Sequence, residues 1–216
     1  MAEATAAWLR EALARAEPRA TPYRHWLLAC MLPGTVLRGV DALPVVPPAI
    51  GDTAGRRETH NSTRWFFGAG QRAQFPVCHA LAAALQSRAM TRALEDHCAV
   101  RLRGGFLRIE YCLDTDGFWL EPHTDIGAKL FTMLIYLTDP PVGEDWGTDI
   151  YVSATAHAGT APCRRNHGLI FVPGADSWHG FARRPITGVR RSLIVNYVTP
   201  DWRARHELAF PDIAVA

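Results

Sequence analysis

Three residues in the second half of the chain, His123, Asp125 and His179, have the types and spacing of metal ligands. In His123-Thr124-Asp125 the two donors stand two positions apart, and on extended chain such residues project from the same face. They can hold one ion from adjacent positions. A third donor is needed. His179 is the best candidate, because it follows the apolar run Gly168–Val172 and the turn Pro173-Gly174. Two imidazoles and one carboxylate make a facial set that suits Fe(II) and leaves positions open for further ligands. On its own the His-x-Asp pair also fits a surface turn with a capping aspartate. The remaining histidines (His25, His60, His79, His97, His157, His167 and His206) are read as surface or core residues.

Downstream of His179, Arg190-Arg191-Ser192 opens the apolar run LIVNYV. An arginine at a strand start, with a serine two on and on the same face, can clamp a carboxylate by a bidentate fork plus a hydroxyl. By parity only one of the two arginines faces inward. A buried cation needs an anion, and a dicarboxylate bound to the metal would supply it. The other reading of Arg190-Arg191 is a solvated surface pair.

These residues need elements to hold them. Residues 4–16 have the spacing of an amphipathic helix, ended by Glu17-Pro18. Residues 24–32 read as a second short helix, and Leu43–Gly55 as a Pro- and Gly-rich surface loop. Residues 76–95 read as one long helix with Pro76 in its first turn and an apolar stripe of Val77, Leu81 and Leu85. After Val100 short apolar runs alternate with turn residues: Leu107–Leu113, Phe118–Leu120, Leu130–Leu137, Thr148–Val152, Gly168–Val172 and Ser192–Val198. Six to eight such strands predict a β-sandwich or barrel, with the helices laid on the outside of one sheet. One domain over 1–216 is expected, with 1–99 as helical support and substrate-side wall and 100–200 as the β core.

Composition narrows the function. The chain has 216 residues, 48% hydrophobic and 20% charged, with a formal net charge of +2. That is ordinary globular composition, too balanced to argue for nucleic acid. No apolar run approaches a membrane span. The start, Met1-Ala2-Glu3-Ala4, has no basic region before an apolar core, so a cytoplasmic location is expected. Five cysteines without a CxxC pair exclude a zinc ribbon and a regular disulfide framework.

Taken together, His123-x-Asp125, His179 and Arg190-x-Ser192, in that order and among the strands FTMLIYLTD, WGTDIYV and GLIFVPGADSWHGF, resemble the Fe(II)/2-oxoglutarate-dependent dioxygenases, in particular the compact prolyl-hydroxylase-like group. The resemblance spans about Gly105 to Val198. It implies a mainly β fold, a double-stranded β-helix (jelly roll), with Fe(II) as cofactor and 2-oxoglutarate and O2 as co-substrates. Carried over, His123, Asp125 and His179 look like the iron ligands. Arg190 looks like the partner of the far carboxylate of 2-oxoglutarate, helped by Ser192 and by Tyr136 and Thr132 on one strand face. Lys129 could bind that carboxylate too, but Arg190 makes it unnecessary. Halogenating relatives have Ala or Gly at the position of Asp125, so hydroxylation or a related oxidation is implied. Candidates for the substrate side are Asn61, Arg64, Arg108, Trp119, Glu121 and Trp178. A small-molecule substrate is expected, with a peptide or carrier-bound one as the alternative, and neither nucleic acid nor membrane. Two rival readings are a cupin-type metal isomerase or 2-oxoglutarate-independent dioxygenase, and a non-catalytic metal or ligand sensor.

Overall fold

A computed structural model describes residues 1–57, 64–125, 127–139 and 145–216. Helix α1 (Ala2–Ala14) is followed by strands β1 (Glu17–Arg19) and β2 (His25–Leu28), then α2 (Gly34–Asp41) and β3 (Trp65–Phe66). Helices α3 (Ala69–Gln74), α4 (Pro76–Gln86) and α5 (Arg88–Cys98) come next. The β region holds β4 (Phe106–Asp114), β5 (Leu120–His123), β6 (Lys129–Tyr136), β7 (Asp149–Tyr151), β8 (His157–Thr160), β9 (His167–Phe171), β10 (His179–Phe181) and β11 (Arg190–Val198).

Among the described residues the strands form two antiparallel sheets. The larger has the order β1-β2-β9-β6-β11-β4-β3, the smaller β5-β10-β7-β8. Strand order departs from chain order because successive strands cross between the sheets. That is the double-stranded β-helix expected from the sequence.

The large sheet is covered on both faces. Along β4 and β11, side chains alternate between them. Leu107, Ile109, Leu113, Leu193, Val195 and Tyr197 join Leu9, Val36, Leu81, Leu85 and Leu94 of the helices in one apolar core. The Tyr197 hydroxyl donates to the Leu85 carbonyl at 2.7 Å, fastening β11 to α4. The opposite face meets the smaller sheet through a second cluster that includes Leu134, Leu169, Phe171, Ile150 and Phe181. The helices therefore lie on one sheet, as expected.

Two local expectations fail. Residues 24–32 do not form a helix. His25–Leu28 pairs with Gly168–Phe171 as β2, because burying Trp26 and Leu28 on the sheet outweighs helical spacing in a short apolar run. The region 76–95 is two helices, broken at Ser87. Ser87 is extended and its hydroxyl accepts from the Met90 amide, so it starts α5 as an N-cap. None of the helices is long and apolar enough to cross a membrane among the described residues.

Candidate metal centre and its cavity

β5 and β10 lie side by side, with His123 paired to His179. Gly180 permits the close approach. A Cβ there would stand 2.9 Å from the Leu120 carbonyl oxygen and 3.1 Å from that of Glu121. The two imidazole rings are 4.4 Å apart between centroids. Asp125, just past the end of β5, closes the third corner. One ligand atom from each of the three residues lies within 4.8 Å of the others. His179 Nε2 is 3.6 Å from Asp125 Oδ2, and His123 Nε2 is 3.9 Å from Asp125 Oδ1.

The backbone sets both tautomers. His123 Nδ1 is 2.8 Å from the Glu121 carbonyl oxygen, and His179 Nδ1 is 2.9 Å from that of Ser177. A carbonyl only accepts, so each Nδ1 carries the proton and each Nε2 keeps its lone pair for a ligand role. Burial pushes the His179 pKa down to about 4 against the pull of Asp125. Its ring is neutral at neutral pH, as ligation requires. Burial pushes Asp125 up, but Lys129 and the two histidines outweigh it and hold the carboxyl below its usual range. Asp125 Oδ2 is buried with no hydrogen-bond donor among the described residues. An ionised oxygen in that state is costly, and a divalent cation would satisfy it. The donor set and this orphaned oxygen both fit a divalent ion of the Fe(II) type.

The triad stands at the wall of a cavity of about 550 Å³, within the range of small-molecule sites. Arg190, at the start of β11, lines the same cavity. His179 and Phe181 lie two positions apart on β10, roughly 7 Å along a strand, and Phe181 carries the Arg190 guanidinium 4.6 Å from its ring centroid. One three-residue strand thus links the metal corner to the arginine. Arg190 is buried, and Arg191 turns to the other face and is half-buried. Arg190 Nη1 donates to Asp114 Oδ2 at 2.6 Å, and Nε donates to the Trp146 carbonyl at 2.6 Å. The anion that a buried arginine demands is therefore already present in the chain, as Asp114. Asp114 also accepts from Arg57 Nη1 at 3.0 Å, so one carboxylate serves two guanidiniums. Nη2 of Arg190 makes no hydrogen bond to a described residue. The Ser192 hydroxyl lies outside the lining and is buried without a partner among the described residues.

No protein-family model and no curated protein matches the chain. Solved structures do. A prolyl 4-hydroxylase from Phytophthora capsici superposes with a TM-score of 0.60 at 13% identity, over 94% of this chain and 67% of that one. A prolyl-4-hydroxylase from Pseudomonas putida gives 0.55 at 16% identity, over 90% and 94%. The fold is that of the prolyl 4-hydroxylases. The non-haem α-ketoglutarate-dependent epimerase SnoN from nogalamycin biosynthesis shares it at a TM-score of 0.51 and 14% identity, over 92% of this chain and 84% of that one. Different reactions are therefore named on this fold.

Within the prolyl-hydroxylase fold the other predicted residues separate into two groups. Thr132 lines the cavity, and its hydroxyl accepts from Asn196 Nδ2 at 3.0 Å. The Tyr136 hydroxyl is committed to Thr148: it donates to Oγ1 at 2.9 Å and accepts from the amide at 3.2 Å. Thr148, not Tyr136, reaches the cavity wall. Arg64 and Arg108 also line it, clasping Glu110 from both sides at 2.9 and 2.7 Å. Arg108 further donates to Glu207 at 2.6 Å and to Asn196 at 3.0 Å. Glu121 stands exposed where Gly55 crosses β5. Trp119 and Trp178 lie outside the lining. The Trp119 indole donates to Asp52 at 2.6 Å and stacks under Arg183. Asn61 lies outside the described residues. Arg57, Asp114, Thr148, Phe181 and Asn196 escaped the sequence reading. Parity along β4 and β11 could have found two of them, because Asp114 shares a face with Arg108 and Asn196 shares one with Arg190. Cys112 is buried and its thiol is pushed far up by burial, so it is not a reactive group.

Proposed function

We propose that this protein is a non-haem iron oxygenase that couples oxidative decarboxylation of 2-oxoglutarate to hydroxylation, or a related C–H oxidation, of a small-molecule substrate. The observation that carries this reading is the convergence of two imidazole Nε2 atoms and one carboxylate oxygen without a donor among the described residues, at the wall of a cavity in a prolyl-hydroxylase fold. Fe(II), 2-oxoglutarate and O2, when bound, would supply the oxidising chemistry and leave succinate and carbon dioxide.

The chain's own residues do the rest. His123, Asp125 and His179 would hold a divalent ion at the cavity wall. Arg190 would receive the far carboxylate of the co-substrate through Nη2, with the Ser192 hydroxyl as a further donor. The Phe181 ring fixes the guanidinium from beneath. Leu134 and Ile194 keep the space between the two ends dry. The cavity volume suits a small molecule more than an extended chain. The whole of 1–216 serves as one catalytic domain, with a cytoplasmic location.

The test is an anaerobic titration of Fe(II)-loaded protein with 2-oxoglutarate, watching for a visible charge-transfer band from chelation of the iron. The band is expected in the wild type and is expected to need about tenfold or more co-substrate in Arg190→Ala, since a charged hydrogen bond contributes about 1.5–3 kcal/mol. Iron binding without a band would move the assignment to a 2-oxoglutarate-independent enzyme. Absence of iron binding would remove it altogether.

A further inference from the structure

Of the 23 basic residues in the chain, Lys129 alone is a lysine. Its Nζ donates to Asp125 Oδ1 at 2.9 Å. Gly127, at φ +85°, lies in the turn that brings position 129 back beside position 125. Lys129 opens β6, where Val198 of β11 is its register partner. The ammonium is therefore delivered by a sheet strand, not by a free arm. The carboxylate is divided as a result. Oδ1 is engaged by the lysine, and Oδ2 is buried, without a donor among the described residues, and faces His179 Nε2.

We propose that Lys129 is a positioning residue that holds Asp125 to metal ligation through Oδ2 alone. A carboxylate can bind a metal through one oxygen or through both. Spending one oxygen on a charged hydrogen bond removes the second mode. One-oxygen ligation keeps the coordination positions on the cavity side free. An ammonium beside the ligand also repels a dication, so geometric and electrostatic roles predict opposite changes in affinity when the lysine is removed. The inference rests on reading the triad as a metal centre.

The experiment titrates wild type, Lys129→Met and Lys129→Arg with Co(II), reading the ligand-field bands, and with Mn(II), reading heat. Thermal unfolding of the metal-free proteins checks that each variant folds. In Lys129→Met the affinity for both ions is expected to fall about tenfold, the lower end for loss of a ligand's hydrogen-bond partner. The Co(II) bands are expected to change in shape and intensity as Asp125 turns to bind through both oxygens. Lys129→Arg, which keeps the charged donor, is expected to restore both readouts. Unchanged bands with unchanged affinity would overturn the assignment, and so would tighter binding with unchanged bands in Lys129→Met, which would make the lysine a counter-charge only. If the wild type binds neither ion, the metal reading of the triad fails and this inference falls with it. If the wild type binds and the variants match it, only the role of Lys129 fails.

Discussion

The two faces of the large sheet are made by the same strands and do opposite things. On β4 and β11 the odd-numbered residues from 107 to 113 and from 193 to 197 are apolar and packed against the helices. The even-numbered ones include Arg108, Glu110, Asp114, Arg190, Ser192 and Asn196, all buried and facing the smaller sheet. The register places Asp114 opposite Arg190, Cys112 opposite Ser192 and Arg108 opposite Asn196. A row of charged and polar side chains is thus laid one residue out of step with a row of core side chains. The helix face loses free energy whenever volume is removed. The cavity face is held by ion pairs and hydrogen bonds, where the cost depends on which partner is left behind.

Glu110 tests the cavity face most severely. Its carboxylate is contacted by Arg108 and Arg64, with Arg57 at 4.0 Å. Glu110→Gln removes the charge and leaves buried guanidiniums facing one another, so a loss of about 3–5 kcal/mol is expected in chemical denaturation. Burial pushes the Glu110 carboxyl up, but Arg108, Arg64 and Arg57 outweigh it and hold it well below the usual range. A group depressed in the folded state stabilises above its unfolded pKa, near 4.3, and loses that contribution as the pH falls below it. The wild-type unfolding temperature is therefore expected to be level above about pH 5 and to drop on acidification. Glu110→Gln should start lower and show a shallower acid slope. A variant as stable as wild type, with an unchanged slope, would show that the ion cluster does not hold this face.

Leu193 is the matching probe on the helix face. It is fully buried, and its neighbours Ser192 and Ile194 turn to the opposite face of the sheet. Leu193→Ala should cost about 2–5 kcal/mol through lost transfer energy and an unfilled cavity. Metal affinity in the folded variant should stay within about twofold of wild type, because nothing in the triad touches it. A large loss of metal binding would mean that the two faces are coupled.

Ser192 carries the smallest stability effect and the sharpest contrast. Its hydroxyl is buried without a partner among the described residues, so Ser192→Ala should leave stability unchanged or raise it by up to about 1 kcal/mol. Co-substrate affinity should nevertheless fall by about fivefold, the worth of one hydrogen bond of about 1 kcal/mol. A clear loss of stability with no change in 2-oxoglutarate binding would place the serine among the packing residues.

What could be read in the sequence follows the same division. The triad was legible because an alternating strand, a two-residue spacing and a Pro-Gly turn before the last histidine are local signals. The strands of the core were legible where apolar runs are long, as at 107–113 and 192–198. The short β10 is absent from the apolar runs, because three residues give no periodicity, and only the resemblance puts a strand around His179. β2 was misread because Trp26 and Leu28 are strand-like only through pairing with β9. The anion beside Arg190 was missed for a related reason. Asp114 and Arg190 are far apart in sequence, and only the antiparallel register of β4 and β11 brings them together. The sequence gives Lys129 no needed role beside Arg190, and the fold turns it toward Asp125.

The parity of β4 and β11 also bears on how such a protein can change over generations. Substitutions at even positions alter what the cavity accepts and leave the helix-packed side untouched. Substitutions at odd positions are constrained mainly by volume, which many apolar residues can satisfy. Two nearly independent sets of mutations can then accumulate on one strand, each tolerated on its own terms. A chain built this way can drift until little of its text matches its structural neighbours, while the strand order, and the corner where two histidines and an aspartate meet, stay in place.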